Sequence, residues 1–436
     1  MSSKNYAFFV SITAALGGFL FGFDTAVISG AERDIQEIWQ LSDWIHGLAI
    51  ASALYGTVIG ALFGGIPADR FGRKKSLLWI GLFYFVSAVG SGLAWDVESF
   101  TFFRFLGGLG VGASSVVAPM YISEIAPAKN RGLLVALYQF NIVSGIVMAY
   151  VSNYLIGTAG LVEDWRWMLG VEGIPALIYS VMIFRIPESP RWLVLKQGKV
   201  EEARAILSII DANEADLVLS QIQEAITTLP VSALFTKAFK TPVTLAVLFA
   251  VFNQVSGINA IIYYAPRIFE MAELGTDSAL LSSAGIGLIN LIFTLIGLTL
   301  IDKYGRKILM QVGSYGLIAT LALVAISFFT GRVGLSVPFY LFGFIAFFAF
   351  SQGAVIWVFI SEIFPNEVRA HGQALGSFTH WFMAALIAFI FPYFAETFGG
   401  GITFSFFALM MILQLLFVWK MMPETKGRSL ESIKLD

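Results

Sequence analysis

The chain has 436 residues, of which 57% are hydrophobic and only 13% charged, with a net charge of −2. Soluble domains carry roughly a quarter charged residues, so this is the composition of a polytopic membrane protein, with no excess of basic charge to suggest a nucleic-acid partner. Cysteine is absent, which excludes disulfides and thiolate chemistry, and the histidines His46, His371 and His380 are too scattered for an HExxH-type motif.

Apolar windows of about 20 residues predict spans near 6–29, 44–67, 76–94, 100–123, 132–156 and 167–186, then 241–264, 279–301, 308–330, 338–361, 371–391 and 402–422. The pattern is that of an all-α membrane protein with twelve transmembrane helices in two six-helix repeats. It divides into a bundle over 1–186, a cytoplasmic linker over 187–240 and a second bundle with a short tail over 241–436. The first apolar segment has neither a basic n-region nor a small-residue cleavage site, and reads as a retained span. Basic residues concentrate in alternate connections, at Arg70–Lys75, Lys129–Arg131, Lys303–Lys307 and Arg369, while the opposite set holds the isolated Arg33, Arg166, Arg267 and Arg332. The positive-inside rule therefore puts both termini and the linker in the cytoplasm.

Two charges of the first half fall inside spans. Asp24 lies roughly 8 Å below the outer end of the first span and Arg104 about 6 Å into the fourth, at matching depths. A buried carboxylate beside a guanidinium is either a switch that takes up a proton or a static pair that orients two helices. Glu172, in the sixth span, is a third intramembrane charge with no partner legible in the sequence. The run Gly56, Gly60, Gly64 and the cluster Gly107–Gly112 need no ligand, because small residues let helix backbones approach closely.

Charged motifs repeat at the predicted cytoplasmic ends. Asp69-Arg-Phe-Gly-Arg-Lys recurs as Asp302-Lys-Tyr-Gly-Arg-Lys, Ser123-Glu-Ile-Ala-Pro with Arg131 as Ser361-Glu-Ile-Phe-Pro with Arg369, and Pro187-Glu-Ser-Pro-Arg191 loosely as Pro423-Glu-Thr-Lys-Gly-Arg428, all about 235 residues apart and in one order. An internal duplication explains that order. It places a ligand site between two parallel repeats that rock to give alternating access. Asp69, Arg73, Glu124 and Arg131, and their counterparts Asp302, Arg306, Glu362 and Arg369, form a candidate set of salt bridges gating the cytoplasmic side. The plainer reading is that they mark turns and orientation.

The linker carries an amphipathic stripe of Val200, Ala203, Ile206, Leu207 and Ile210, which predicts short helices too small for an enzyme domain. The seventh span follows, and it sets the amides Asn253, Gln254 and Asn259 beside Tyr263 and Tyr264 in an otherwise apolar run. Amides offer donors and an acceptor together, which suits a neutral polyol better than an ion. Asn259 and Tyr263 share a helix face, whereas Gln254 joins them only if the helix is distorted, and Ser256-Gly257 is the place for that. Interhelical bonding alone is the competing explanation. Gln139, Asn290, Trp357, His380 and Trp381 add polar and aromatic groups within spans; an indole stacks on the apolar face of a pyranose while amides take its hydroxyls.

These motifs together resemble the sugar porters of the major facilitator superfamily over essentially the whole chain. The resemblance rests on Asp69-Arg-x-Gly-Arg-Lys, Pro187-Glu-Ser-Pro-Arg-Trp-Leu193, Gln254-x-x-Gly-x-Asn-x-x-x-Tyr-Tyr264 and Pro423-Glu-Thr-Lys-Gly427, and is strongest to bacterial proton-coupled xylose and hexose symporters. It implies sugar contacts at Gln139, Gln254, Asn259, Tyr263, Asn290 and Trp357, with Trp381 nearby, and proton coupling at Asp24 with Arg104. Three positions depart from the pattern: Asn253 stands for a second Gln, Ala354 follows Gly353 where a proline is usual, and His380 replaces a Gln or Asn, as in fructose-transporting relatives. The expectation is a monosaccharide importer driven by proton symport, with Asn253 and His380 in its sugar site and no cofactor beyond the proton. Its partners would be sugar and membrane lipid, without nucleic acid. It is expected to work as a monomer in a plasma membrane, a bacterial inner membrane. The alternatives are a uniporter of the same fold and a non-transporting sugar sensor. An enzyme is disfavoured, since no nucleophile–base pair is evident. His380 is also expected to titrate near neutrality and add a second pH dependence.

Overall fold

The computed structural model describes residues 3–127, 131–211, 214–223, 230–365 and 367–426. In the first half the helices are α1 (Ser3–Ile38), α2 (Asp43–Phe63), α3 (Gly65–Phe71), α4 (Arg73–Gly92), α5 (Val97–Ile125), α6 (Arg131–Thr158), α7 (Asp164–Gly170) and α8 (Gly173–Ile183). The linker supplies α9 (Pro190–Gln197), α10 (Val200–Ile210) and α11 (Ala215–Gln223). The second half contains α12 (Lys240–Gln254), α13 (Ile258–Tyr263), α14 (Ala265–Met271), α15 (Thr276–Tyr304), α16 (Arg306–Thr330), α17 (Ser336–Phe348), α18 (Ala354–Glu362) and α19 (Arg369–Lys420).

Among the described residues, eleven helical runs are long and apolar enough to cross a membrane. The twelve predicted spans are accounted for by α19, whose 52 residues hold both of the last two and break at Gly399 (φ 73°). Local sequence sets the ends of several elements. Asp96 caps α5, accepting from the Ser99 amide at 2.8 Å while Ser99 reaches back to the Asp96 amide at 3.3 Å. Ser189 caps α9 ahead of Pro190, and Gly198 (φ 67°) closes it in the left-handed conformation. The α10 stripe emerges as expected: Ala203, Leu207 and Ile210 are buried and Val200 and Ile206 half-buried.

Packing divides the chain into two compact units. Unit 1 comprises residues 1–25, 52–149 and 166–227, and unit 2 residues 26–51, 150–165 and 228–436. The division passes through α1, α2, α6 and α7, so it does not coincide with the linear six-plus-six order. In unit 1, α4 packs against α5 and α8, and α2 meets α5 through glycines. A Cβ on Gly108 would stand 1.8 Å from the Ala53 carbonyl oxygen, and one on Gly56 2.2 Å from that of Phe105. Lipid gives helices no hydrophobic reason to associate, so this close van der Waals fit is what binds them. In unit 2, α16 and α12 pack on α19 around Phe249, Met310, Phe359 and Phe417.

Candidate functional site: a buried amide cluster and a buried ion pair

Within unit 2 the seventh span is broken where the sequence suggested. Helix α12 stops at Gln254, Gly257 takes φ 88°, and α13 restarts at Ile258. Only glycine serves there, for conformation and for space, since a Cβ would lie 2.6 Å from the Phe407 ring. The break turns Gln254 toward Asn259. The Asn259 amide donates to Gln254 Oε1 at 2.6 Å, and Gln254 Nε2 donates to Asn253 Oδ1 at 2.9 Å. Gln254 Nε2 also lies 3.2 and 3.3 Å from the two ring nitrogens of His380.

His380 is held between two indoles, its centroid 4.9 Å from that of Trp357 and 4.7 Å from that of Trp381. An amide N–H pointing at an imidazole nitrogen needs that nitrogen unprotonated, and the ring is buried away from water. The expectation that His380 titrates near neutrality is therefore corrected: this geometry calls for the neutral ring. Among the described residues Asn253 Nδ2 has no partner, which leaves the cluster a donor to spare. Tyr263 is buried on α13, one turn beyond Asn259. Asn290 accepts from Thr294 at 3.4 Å on α15 and stands apart from this chain of bonds among the described residues. Gln139, half-buried on α6, belongs to unit 1. The tenth span lacks its expected proline, yet it is still irregular: Ala349–Gly353 form a π-helical turn between α17 and α18. Ser351 Oγ bonds the Phe347 carbonyl at 2.5 Å and so competes with the regular helical ladder.

Within unit 1, Arg104 Nη1 donates to Asp24 Oδ1 at 2.5 Å and Nη2 to the Asp24 carbonyl at 3.2 Å. Both residues are at most 2% exposed. Gly107, one turn after Arg104, faces the same spot: a Cβ there would be in ordinary contact with Asp24 Oδ1 at 3.6 Å. Glu172, just ahead of α8, is equally buried, and among the described residues its Oε1 has no partner.

The repeated charged motifs form one clamp in each unit. In unit 1, Arg73 grips both oxygens of Glu124 at 2.9 and 3.0 Å and Asp69 at 3.0 Å. In unit 2, Arg306 grips Glu362 at 3.0 and 2.7 Å and reaches Asp302 at 3.3 Å. Arg369 departs from the expected set: its Nε donates to the Phe364 carbonyl at 3.2 Å, and among the described residues it pairs with no carboxylate. The Arg131 side chain lies outside the described residues.

Sequence reasoning quoted two further clamp members as motif letters and gave them no role. Glu188 Oε1 accepts the backbone N–H groups of Arg73 at 2.9 Å and Lys74 at 3.1 Å, and Glu424 accepts those of Arg306 and Lys307, each at 3.0 Å. Each carboxylate thus satisfies the free amides at a helix start. Burial opposes ionisation of Glu424, but the amides of Lys426, Arg306, Lys307 and Thr425 hold its carboxyl below the usual range. A network in unit 2 was missed entirely. Glu32, almost fully buried, takes His46 Nε2 at 2.7 Å and Arg267 Nε at 3.0 Å, and Arg267 also bonds Gln36. Its only sequence signal was an acid just past the predicted end of the first span. Among the described residues, no group of three acidic or histidine side chains could hold a metal.

Comparison with known proteins places this geometry. Residues 10–436 match the family model described as sugar (and other) transporter. The chain is 38% identical over 442 residues to the arabinose-proton symporter of Bacillus subtilis (strain 168), covering 99% of this chain and 95% of the relative. It is 35% identical over 471 residues to the D-xylose-proton symporter of Escherichia coli (strain K12), covering 99% and 96%. Among solved structures, the inward open conformation of the E. coli xylose transporter XylE aligns with TM-score 0.88 at 34% identity, over 98% of this chain and 99% of that one. The proton:xylose symporter XylE bound to 6-bromo-6-deoxy-D-glucose aligns with TM-score 0.80 at 34% identity, over 98% of each chain.

Proposed function

Because the chain belongs to the sugar (and other) transporter family, we propose that it imports a monosaccharide, pentose or hexose, by proton symport with alternating access. It is an integral membrane transporter and not an enzyme, and the proton is its coupling ion. The observation that carries the coupling is the Asp24–Arg104 pair, buried within the helices and bonded through one carboxylate oxygen. When Asp24 is ionised, Arg104 neutralises it; when it is protonated, the guanidinium is released to other acceptors, and the two states favour different helix arrangements. The amide cluster Asn253–Gln254–Asn259, with His380, Trp357 and Trp381, supports sugar binding: bidentate amides for vicinal hydroxyls and indoles for the apolar ring face. Tyr263 and Asn290, of the same unit, would complete the pocket.

In this reading residues 1–186 and 241–436 are the two six-helix bundles, and 187–240 a cytoplasmic linker. The Arg73 and Arg306 clamps, with Asp69, Glu124, Asp302 and Glu362, would stiffen the cytoplasmic ends and loosen when that side opens. Both termini would be cytoplasmic, in a bacterial inner membrane, with lipid around a single working chain. A uniporter in which Asp24–Arg104 is a static strut is the second reading, favoured by the pair's short, buried geometry.

Uptake into proteoliposomes with and without an inward proton gradient tests the choice, for wild type and Asp24→Asn, with xylose, arabinose, glucose and fructose. Symport requires gradient-driven accumulation in wild type and mere equilibration in the variant. Equilibration by wild type whatever the gradient would establish the uniporter.

A further inference from the structure

Unit 1 buries a second polar surface that the binding and coupling residues leave without a task. Tyr84, Ser87 and Ser91 are spaced three and four apart on α4 and so share one helix face. All three are fully buried, and among the described residues none of their hydroxyl oxygens has a partner. Serines within apolar helices ordinarily bond back to the carbonyl one turn earlier. Ser76 of the same helix does so at 2.9 Å, and Ser180 of α8 likewise. Ser87 and Ser91 do not; their oxygens face away from their own backbone ladder.

What Ser87 faces is charged. A Cβ on Gly107 would lie 2.3 Å from Ser87 Oγ and 3.6 Å from Asp24 Oδ1, so hydroxyl and carboxylate converge over one glycine. Tyr84 is within electrostatic reach of Asp24, Glu172, Tyr138 and Tyr179. On α8, the Tyr179 hydroxyl is buried too, two turns beyond Glu172, and among the described residues neither it nor Glu172 Oε1 has a hydrogen-bond partner. The line continues past Gly17, where a Cβ would stand 2.8 Å from Ser114 Oγ and 3.3 Å from the Tyr179 hydroxyl. Ser114 Oγ is in turn 3.3 Å from the Tyr138 hydroxyl. Gly17 precedes Asp24 by about 10 Å of helix, toward the proposed cytoplasmic end.

Buried polar groups without protein partners are satisfied by ordered water, and such water is stable where two to four polar atoms surround it. We propose that Tyr84, Ser87, Ser91 and Tyr179 hold a file of water that carries the coupling proton from Asp24 past Glu172 to Ser114 and the cytoplasmic side. The step balances. The Asp24 carboxylic acid gives its proton to the adjacent water, each water passes one on as it receives one, and Arg104 pairs with the carboxylate left behind. The titratable and charged groups along the file are Asp24, Arg104, Glu172, Tyr84, Tyr138 and Tyr179. The serines act through water and are positioning residues. The inference rests on the symport reading.

The test uses the full chain in proteoliposomes as wild type, as the double variant Ser87→Ala/Ser91→Ala, as Tyr84→Phe and as Ser87→Thr. Gradient-driven uptake is measured in H2O and D2O, alongside sugar counterflow at equal pH, which needs no net proton movement. The alanine pair should lose gradient-driven uptake by about tenfold, since a positioned proton path is worth at least that. It should also slow further in D2O and keep wild-type counterflow. Tyr84→Phe should behave the same way, and Ser87→Thr, which keeps the hydroxyl, should retain uptake. Unchanged uptake in the alanine pair and Tyr84→Phe overturns the relay. So does a parallel fall in uptake and counterflow, which would mark a packing role. If wild type itself accumulates nothing on a gradient, symport has failed and the relay falls with it; wild-type coupling with unaffected variants sinks the relay alone.

Discussion

Replacing Gln254 with alanine separates a sugar site from a helix fastener. The Gln254 carboxamide bridges Asn259, Asn253 and His380 at 2.6–3.3 Å in a fully buried setting. Truncation leaves the Asn259 donor and the Asn253 acceptor orphaned, which costs about 1–3 kcal/mol per group when nothing replaces the lost partner. The space vacated is large enough for water and lined by polar atoms, so the stability loss should sit near the low end, about 1–2 kcal/mol. Binding should suffer more than folding. A sugar hydroxyl held by both faces of the amide loses about 2 kcal/mol, which is roughly thirtyfold in affinity. Calorimetric titration of detergent-solubilised protein with its transported sugar gives the affinity, and thermal unfolding of the same samples gives the stability. If Gln254→Ala unfolds several degrees earlier yet binds sugar within about twofold of wild type, the amides are interhelical bonds only, and the sugar site lies elsewhere.

Three further outcomes follow from the geometry. Gly108→Ala drives a methyl against the Ala53 carbonyl, 1.8 Å away on a backbone that cannot yield cheaply. It should cost at least about 1–3 kcal/mol, seen as loss of monodisperse protein in size-exclusion profiles. Glu32→Leu strips Arg267 of its main partner in a buried site. Breaking such a pair costs about 3–5 kcal/mol, so the melting temperature should drop well below that of an exposed-site control such as Glu37→Leu. Glu424 has its folded value depressed by backbone donors. Its stabilisation is therefore complete above the unfolded carboxylate value of about 4.3 and disappears as pH falls through the lower folded value. Melting curves from neutral to acid pH should decline over that window in wild type, and Glu424→Gln should lack this component of the decline.

The span pattern was legible because lipid demands long uninterrupted apolar helices, and the break at Gly257 because Gln254 and Asn259 cannot share a face without one. The arginine–carboxylate clamps announced themselves by repetition. Arg369 repeats as faithfully but bonds a carbonyl, because repetition preserves residue type without preserving the nearest acceptor. Glu188 and Glu424 stayed silent for a related reason: their partners are peptide N–H groups, which every residue but proline possesses and no motif can display. The Glu32–His46–Arg267 network ties the neighbouring α1 and α2 to α14, 235 residues beyond Glu32. A lone acid near a helix end carries no trace of such company.

The π-helical turn at Ala349–Gly353 has an arithmetical side. A wide turn accommodates one residue more than an α-helical path would, so everything after it is rotated by one position, about 100° of azimuth. Trp357 follows four residues later and reaches His380 only from its present bearing. Deleting any single residue of that turn would let the helix close up as ordinary α and swing the indole away from His380, although no side chain of the pocket had been altered. Insertions and deletions, nearly neutral in a surface loop, would act here as changes of aim, so the tenth span should tolerate substitution far better than any change in its length.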